Sequence, residues 1–294
     1  MSLLSGFITI AGPPNVGKST LMNYILGEKI SIVSSKPQTT RNRIIGIYHR
    51  NDCQMVFMDT PGIHKTITPL HKSMVESARM SFQEVDIILF MIELYHPDVP
   101  DISSILYRMR DVKKPCILLI NKIDTGPKEQ ALPVIEKFRQ YHDFHAIIPV
   151  SALMGDGVDI LLKEIKSLLK PGPRFFPQEM ATDQSEMFLV SEIIREKIYE
   201  LLWKELPYSS AVTVDKMEEI PKKDLLSIAA RIYVETDSQK RILIGKNGRM
   251  IKAIGSSARL ELEKRLGVRI YLDILVRVEK NWSTDTRALR RLGY

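Results

Sequence analysis

From residue 7 to about residue 169 the chain alternates short apolar runs with amphipathic segments. The runs are FITIA, RIIGIYH, QMVFMD, DIILFMIE, CILLINK and AIIPV, and they read as strands. Between them LMNYIL, PLHKSMVESARM, ISSILYRMRD, EQALPVIEKFRQY and VDILLKEIKSLL carry helical spacing. Such alternation predicts an α/β domain over residues 1–170, a mostly parallel sheet covered by helices. The pattern breaks in KPGPRFFPQEMATD, where Pro171, Pro173 and Pro177 interrupt any period, so residues 171–183 are expected to be a linker. Beyond it SEMFLVSEIIREKIYELLWKEL reads as a long helix, SAVTVDKMEEI and LLSIAARIYVE as strands, QKRILI and RMIKAIGSSARLELEKRLG as helices, and RIYLDILVRV as a strand. Residues 184–294 therefore predict a smaller α+β domain of order α-β-β-α-α-β.

Composition changes little in this picture. At 294 residues and 44% hydrophobic content the chain can bury two cores. No basic leader precedes a long apolar run and no window has the length of a membrane span, so a cytoplasmic protein is expected. Cys53 and Cys116 each sit beside a strand-like run, which argues against a disulfide framework. The net charge of +7 is compatible with a polyanionic partner, and its placement decides more than its size.

The chemistry begins at GPPNVGKS, residues 12–19, which lies after a strand and before a helix. This is the context a phosphate-cradling loop requires: glycines let backbone N–H groups converge on a β-phosphate, and the helix start adds its dipole. Gly12, Pro13, Pro14, Asn15, Val16, Gly17, Lys18, Ser19 and Thr20 are therefore nucleotide-site candidates, with Lys18 bridging phosphates and Ser19 ligating Mg²⁺. DTPG follows the run QMVFM, placing Asp59 where it can hold Mg²⁺ through water, with Thr60, Pro61 and Gly62 beside it and the Gly62 N–H facing a γ-phosphate. NKID follows CILLI, so Asn121, Lys122 and Asp124 leave a strand's carboxyl end, where open α/β sheets bind ligands. The Asp124 carboxylate can accept from both guanine N1–H and N2–H₂, a pairing adenine lacks. In VSA, Ser151 and Ala152 complete the set, with the Ala152 N–H expected at guanine O6.

Those four motifs in order resemble the P-loop GTPase superfamily, with GTP or GDP and Mg²⁺ as the implied ligands. Between the first two lies SSKPQTTRNRIIG, where such proteins keep a switch threonine; Thr40 is the candidate and Thr39 the alternative. Lys18, Thr40 and Gly62 are the expected catalytic group, and Ser19, Thr40 and Asp59 the expected metal set. Ras-like relatives place a glutamine directly after the third-motif glycine to orient water, and here that residue is Ile63, so slow intrinsic hydrolysis is expected.

In the second domain IGKNG opens another glycine-flanked basic turn, but it lacks the Ser or Thr of a phosphate loop and joins two helices. From Ser238 to Leu260 the basic residues are Lys240, Arg241, Lys246, Arg249, Lys252 and Arg259, with no acidic residue among them. A G-x-x-G turn in an α-β-β-α-α-β domain resembles a type II KH domain, whose loop clamps a single-stranded nucleic acid backbone. Ile244, Gly245, Lys246, Asn247, Gly248, Arg249, Ile251 and Lys252 are the RNA-binding candidates, with Ile242 and Ile254 divided between groove and core. His142 and His145 lack further ligands nearby, and Trp282 reads equally as a base-stacking or a core residue.

GPPNVGKS, KPQTTR, DTPGI, NKID and VSA, followed by IGKNG and the tail VEKNWSTDTRALRRLGY, resemble the bacterial Era family over nearly the whole chain. Pro13 departs from a position where relatives commonly carry a charge. The resemblance implies a GTP-dependent factor for small ribosomal subunit assembly that binds the single-stranded 3′ end of the small-subunit rRNA. It also implies peripheral association with the inner membrane; a monomer is expected. Two other readings stay open: a non-enzymatic RNA chaperone in which GTP is structural, and a membrane-associated signalling GTPase.

Overall fold

A computed structural model describes residues 3–294 apart from 35, 37, 38, 60–69, 71–83, 98–101, 103, 104, 108–111, 222 and 223. The helices expected from PLHKSMVESARM and ISSILYRMRD fall largely outside the described residues, as do Thr60, Pro61, Gly62 and Ile63. The chain divides into two compact units between Asp183 and Gln184.

In the first unit β1 (Leu4–Ala11), α1 (Lys18–Leu26), β2 (Ile44–His49), β3 (Cys53–Asp59), β4 (Ile87–Glu93) and β5 (Cys116–Asn121) are followed by α2 (Ala131–Arg139), β6 (Ala146–Pro149), α3 (Val158–Leu168) and the short β7 (Lys170–Pro171). The sheet order is β2-β3-β1-β4-β5-β6, with β7 antiparallel on β1. Apart from β7 and the antiparallel hairpin partner β2, the strands run parallel. Every residue of β3 and β5 is buried, as expected of strands covered on both faces. One core cluster includes Val56, Ile88, Phe90, Leu118, Ile120 and Phe138. The parallel arrangement brings the carboxyl ends of β1, β3, β5 and β6 to one sheet edge, and the four nucleotide motifs begin there.

Residues 171–183 carry no periodicity, yet they are held in place. The Ile47 N–H donates to the Ala181 carbonyl at 2.8 Å and the Thr182 hydroxyl to the Ile45 carbonyl at 2.6 Å, so this segment roofs the open edge of β2. Gln54, fully buried, accepts from the N–H groups of Phe175 and Phe176 at 2.7 and 3.1 Å and donates to the Phe176 carbonyl at 2.8 Å.

The second unit contains α4 (Glu186–Leu201), β8 (Ala211–Ile220), β9 (Leu225–Val234), α5 (Asp237–Ile244), α6 (Arg249–Leu266), β10 (Arg269–Val278) and α7 (Thr286–Arg291). Its sheet runs β10-β9-β8, with β9 parallel to β10 and antiparallel to β8. α4 ends at Leu201, before the LWKEL that its sequence period includes, because Leu202 and Leu206 reach the core from a turn instead of a helix. α5 starts at a capping box, with Thr236 accepting from the Gln239 N–H and Gln239 from the Thr236 N–H, both at 3.2 Å. Trp282 belongs to the core: it is fully buried and its indole N–H donates to the Ser209 carbonyl at 3.0 Å.

Candidate nucleotide site and nucleic-acid interface

The loop between β1 and α1 can be built only with its glycines. Gly12 has φ 154° and a Cβ there would lie 2.2 Å from the Met91 carbonyl oxygen; Gly17 has φ 102° and a Cβ would lie 2.3 Å from Asn121 Nδ2. Lys18 is buried, and its ammonium donates to the carbonyls of Gly12 at 3.1 Å and Pro13 at 2.7 Å. Burial pushes its pKa down to about 8, with the Asp59 charge acting in the opposite sense.

Asp59, the last residue of β3, is fully buried. Its Oδ2 accepts from Ser19 Oγ at 2.6 Å, Ser31 Oγ at 2.8 Å and Thr40 Oγ1 at 3.4 Å, and the Ser19 and Thr40 oxygens are 3.0 Å apart. Oδ1 is buried and has no hydrogen-bond partner among the described residues. Burial raises the Asp59 pKa, against the pull of the Ser19 hydrogen bond and the Lys18 charge. The geometry favours Thr40 over Thr39, whose hydroxyl donates to the Lys36 carbonyl at 2.7 Å. An all-oxygen set of two hydroxyls and a carboxylate with an unused buried acceptor fits Mg²⁺, a hard cation.

At the base end Ser151 Oγ donates to Asp124 Oδ1 at 2.5 Å and so orients a carboxylate on an otherwise exposed residue. Lys122 pairs with Glu93 at 2.7 Å. Asn121 donates from Nδ2 to the Val16 carbonyl at 2.7 Å and accepts at Oδ1 from the Ala152 N–H at 2.8 Å. The Ala152 N–H, expected at guanine O6, is thus directed to Asn121, and Asn121 itself joins the phosphate loop to the base loop. A cleft of about 480 Å³ links Asn15, Lys18 and Ser19 through Val33 and Thr40 to Glu93 and Lys122.

Three residues of this site are absent from the sequence reading: Ser31, its partner Asn23, and Glu93. The available signal for Ser31 is a lone hydroxyl inside the apolar stretch ISIV.

In the second unit the Gly245–Gly248 turn has φ 73° at both glycines and 52° at Asn247, and a Cβ on Gly245 would sit 2.8 Å from that of Met250. Lys246, Asn247, Arg249 and Lys252 are exposed on and after the turn. Ile254 is core and fully buried, Ile242 is exposed, and Ile244 and Ile251 are half-buried at the margin. A cleft of about 270 Å³ opens beside the turn, lined by Ile251, Lys252, Gly255, Arg259, Leu272 and Ile274. β10, which forms one wall, is an edge strand.

Among the described residues His145 pairs with Glu164 at 3.0 Å, and no group of His, Cys, Asp and Glu has a metal-binding arrangement. Both cysteines are free and buried. No helix among the described residues is long and apolar enough to cross a membrane.

A family model described as a 50S ribosome-binding GTPase matches residues 7–122, and a KH domain model matches residues 205–283. The chain is 50% identical over 290 residues to the GTPase Era of Syntrophus aciditrophicus, covering 99% of this chain and 95% of that protein. It is 47% identical to the GTPase Era of Alkaliphilus metalliredigens over the full length of both. Two solved structures superpose with a TM-score of 0.96 at 40% identity, each over 99% of both chains. One is a point variant of Aquifex aeolicus Era bound to GDP and AlF₄⁻, the other Era in complex with MgGDPNP and nucleotides 1506–1542 of 16S ribosomal RNA. Full-length identity at this level, with the GTPase and KH models on the two structural units, places the chain in the Era family of GTPases.

Proposed function

We infer that this GTPase serves small ribosomal subunit assembly, hydrolysing GTP to GDP and phosphate while its KH domain holds the single-stranded 3′ end of the small-subunit rRNA. The observation that carries the reading is the Gly245–Gly248 turn. Its two glycines carry no side chain to keep a second backbone away, exposed Lys246 lies within it and exposed Arg249 and Lys252 follow it, and it borders a cleft walled by an edge strand. The Era structure containing 16S ribosomal RNA nucleotides, with a TM-score of 0.96 to this chain, supports the identity of the RNA.

In the first domain Ser19 and Thr40 would hold Mg²⁺ directly and Asp59 would hold it from its second sphere. Bound there, the ion would neutralise the charge that develops on the phosphates. Lys18, already directed at the loop interior, supplies a second positive charge to the phosphates. The Asp124 carboxylate, fixed by Ser151, selects guanine. Ile63 offers no hydrogen bond to a water, which supports slow unassisted turnover.

Replacing Lys246 and Asn247 together by aspartates tests the reading. Binding of a single-stranded oligonucleotide with the 3′-terminal rRNA sequence should weaken and its salt dependence should flatten, with GTP turnover in the absence of RNA unchanged. RNA binding at wild-type strength, or competition by anionic lipid vesicles and not by RNA, would refute it.

A further inference from the structure

The reading of Ser19, Thr40 and Asp59 as the Mg²⁺ set leaves one hydroxyl at that carboxylate unexplained. Ser31 is fully buried between α1 and the segment that carries Thr40, and its Oγ donates to Asp59 Oδ2 at 2.8 Å. Its own backbone is held on both sides by one side chain. Asn23 Oδ1 accepts from the N–H groups of Ile30 and Ser31, each at 2.9 Å, and Asn23 Nδ2 donates to the Ser31 carbonyl at 2.6 Å. Asn23 lies on α1, the helix whose first turn carries Ser19. A continuous brace therefore runs from α1 through Asn23 and Ser31 to the end of β3.

The brace has a consequence for cation capture. Ser19 lies at the start of a helix and Thr40 in a loop, whereas the Ser31 hydroxyl is fixed by the backbone bonds around it. A carboxylate on a single sp³–sp² torsion turns freely unless something fixes it. With Oδ2 held by Ser31 beside Ser19 and Thr40, Oδ1 is left as a buried acceptor without a partner among the described residues. We propose that Ser31, clamped by Asn23, is a positioning residue that pre-orients Asp59 for Mg²⁺ and so sets the metal requirement of nucleotide binding. This rests on the Mg²⁺ reading of Ser19, Thr40 and Asp59 given above. Ser31 makes no contact with the metal in this scheme; it acts through Asp59, itself an outer-sphere partner of the ion, and since loss of an outer-sphere partner typically costs about 10–100-fold in metal affinity, that range is the ceiling for losing its aim.

The test is a Mg²⁺ titration of fluorescent GDP binding by the full-length protein, with the same affinity measured in EDTA. Ser31→Ala should raise the half-saturating Mg²⁺ by about tenfold or more, while GDP affinity in EDTA stays within about twofold and the thermal midpoint stays close to wild type. Asn23→Ala should raise the Mg²⁺ requirement in the same way by releasing Ser31, with a lower thermal midpoint because it removes three hydrogen bonds to backbone groups, and the double variant should exceed the larger single effect on Mg²⁺ by little, since both act through one brace. An unchanged Mg²⁺ requirement in both variants overturns the proposal. So does a loss in EDTA equal to the loss in Mg²⁺, which marks a plain folding role. If Ser31→Ala does not fold, Asn23→Ala decides alone. Ser19→Ala is the control for the underlying reading: it must raise the Mg²⁺ requirement strongly, and if it does not, the metal set fails, not the brace alone.

Discussion

Removing the Asn121 amide should uncouple the phosphate loop from the base loop. The side chain is 2% exposed and makes two hydrogen bonds, one to the Val16 carbonyl and one from the Ala152 N–H, both on buried residues. In Asn121→Ala each bond is lost at about 1 kcal/mol net, and each orphaned backbone group adds a desolvation cost of about 1–3 kcal/mol unless water reaches it. The loops can relax toward solvent in the free protein, but the bound nucleotide requires them ordered, so the cost appears in affinity. At least about 2 kcal/mol, roughly thirtyfold, should be lost from GDP binding. Equilibrium titration with a fluorescent GDP analogue measures it, with the inosine diphosphate affinity taken beside it. Because Asn121 joins loops and Asp124 reads the base, both nucleotides should weaken by the same factor. Affinity within threefold of wild type would refute the loop-joining role. A tenfold change in the ratio of GDP to inosine diphosphate affinity would show instead that Asn121 reads the base.

Three further outcomes are expected. Asp124→Asn exchanges an acceptor for a donor, so GDP should weaken by about a hundredfold and xanthosine diphosphate should become the stronger competitor; retained guanine preference contradicts the role given to Asp124. Trp282→Ala removes a fully buried indole and its bond to Ser209, so the second domain should lose about 3–5 kcal/mol in urea unfolding followed by circular dichroism; an unchanged midpoint excludes a core role. Lys18, with its pKa lowered to about 8 in the free protein, must be charged beside phosphates, so binding takes up a proton above that pH. Affinity for GDP should be level below pH 7 and fall about fourfold between pH 7 and 8.5, and a level profile to pH 8.5 would show that Lys18 is not the linked group.

The site was legible in the sequence wherever a motif coincides with the end of a strand. Asp59 closes β3, Asn121 closes β5 and Gly12 follows Ala11 at the end of β1, so apolar runs alone located three motifs on one edge. Ser31 was not legible because its partner Asp59 is 28 residues away and the pairing depends on how α1 packs, which no local pattern encodes. The 171–183 segment misled for a related reason. Its prolines remove donors and its phenylalanines follow no period, so nothing marks it as an edge cover, yet β2 and Gln54 supply the missing hydrogen bonds from their side. Trp282 was ambiguous because an aromatic in a basic tail suits a base stack as well as a core; the Ser209 carbonyl as indole partner decides it.

Gln54 and Asp59 show how a buried polar group that holds structure differs from one that serves chemistry. Both lie on β3 and both are fully buried, where an unsatisfied polar atom costs about 1–3 kcal/mol and a charged one more. Gln54 uses its oxygen for two backbone donors and its nitrogen for a backbone carbonyl, so its burial is offset within the fold. Asp59 directs one oxygen to the hydroxyls of Ser19, Ser31 and Thr40 and leaves the other without a donor, and its raised pKa records how poorly the free site tolerates its charge. An apolar residue of similar shape would suit an inert strand end better. A carboxylate kept there at that cost, aimed by fixed hydroxyls, is favourable only when a cation arrives, which makes this buried carboxylate the group that ties Mg²⁺ to nucleotide binding.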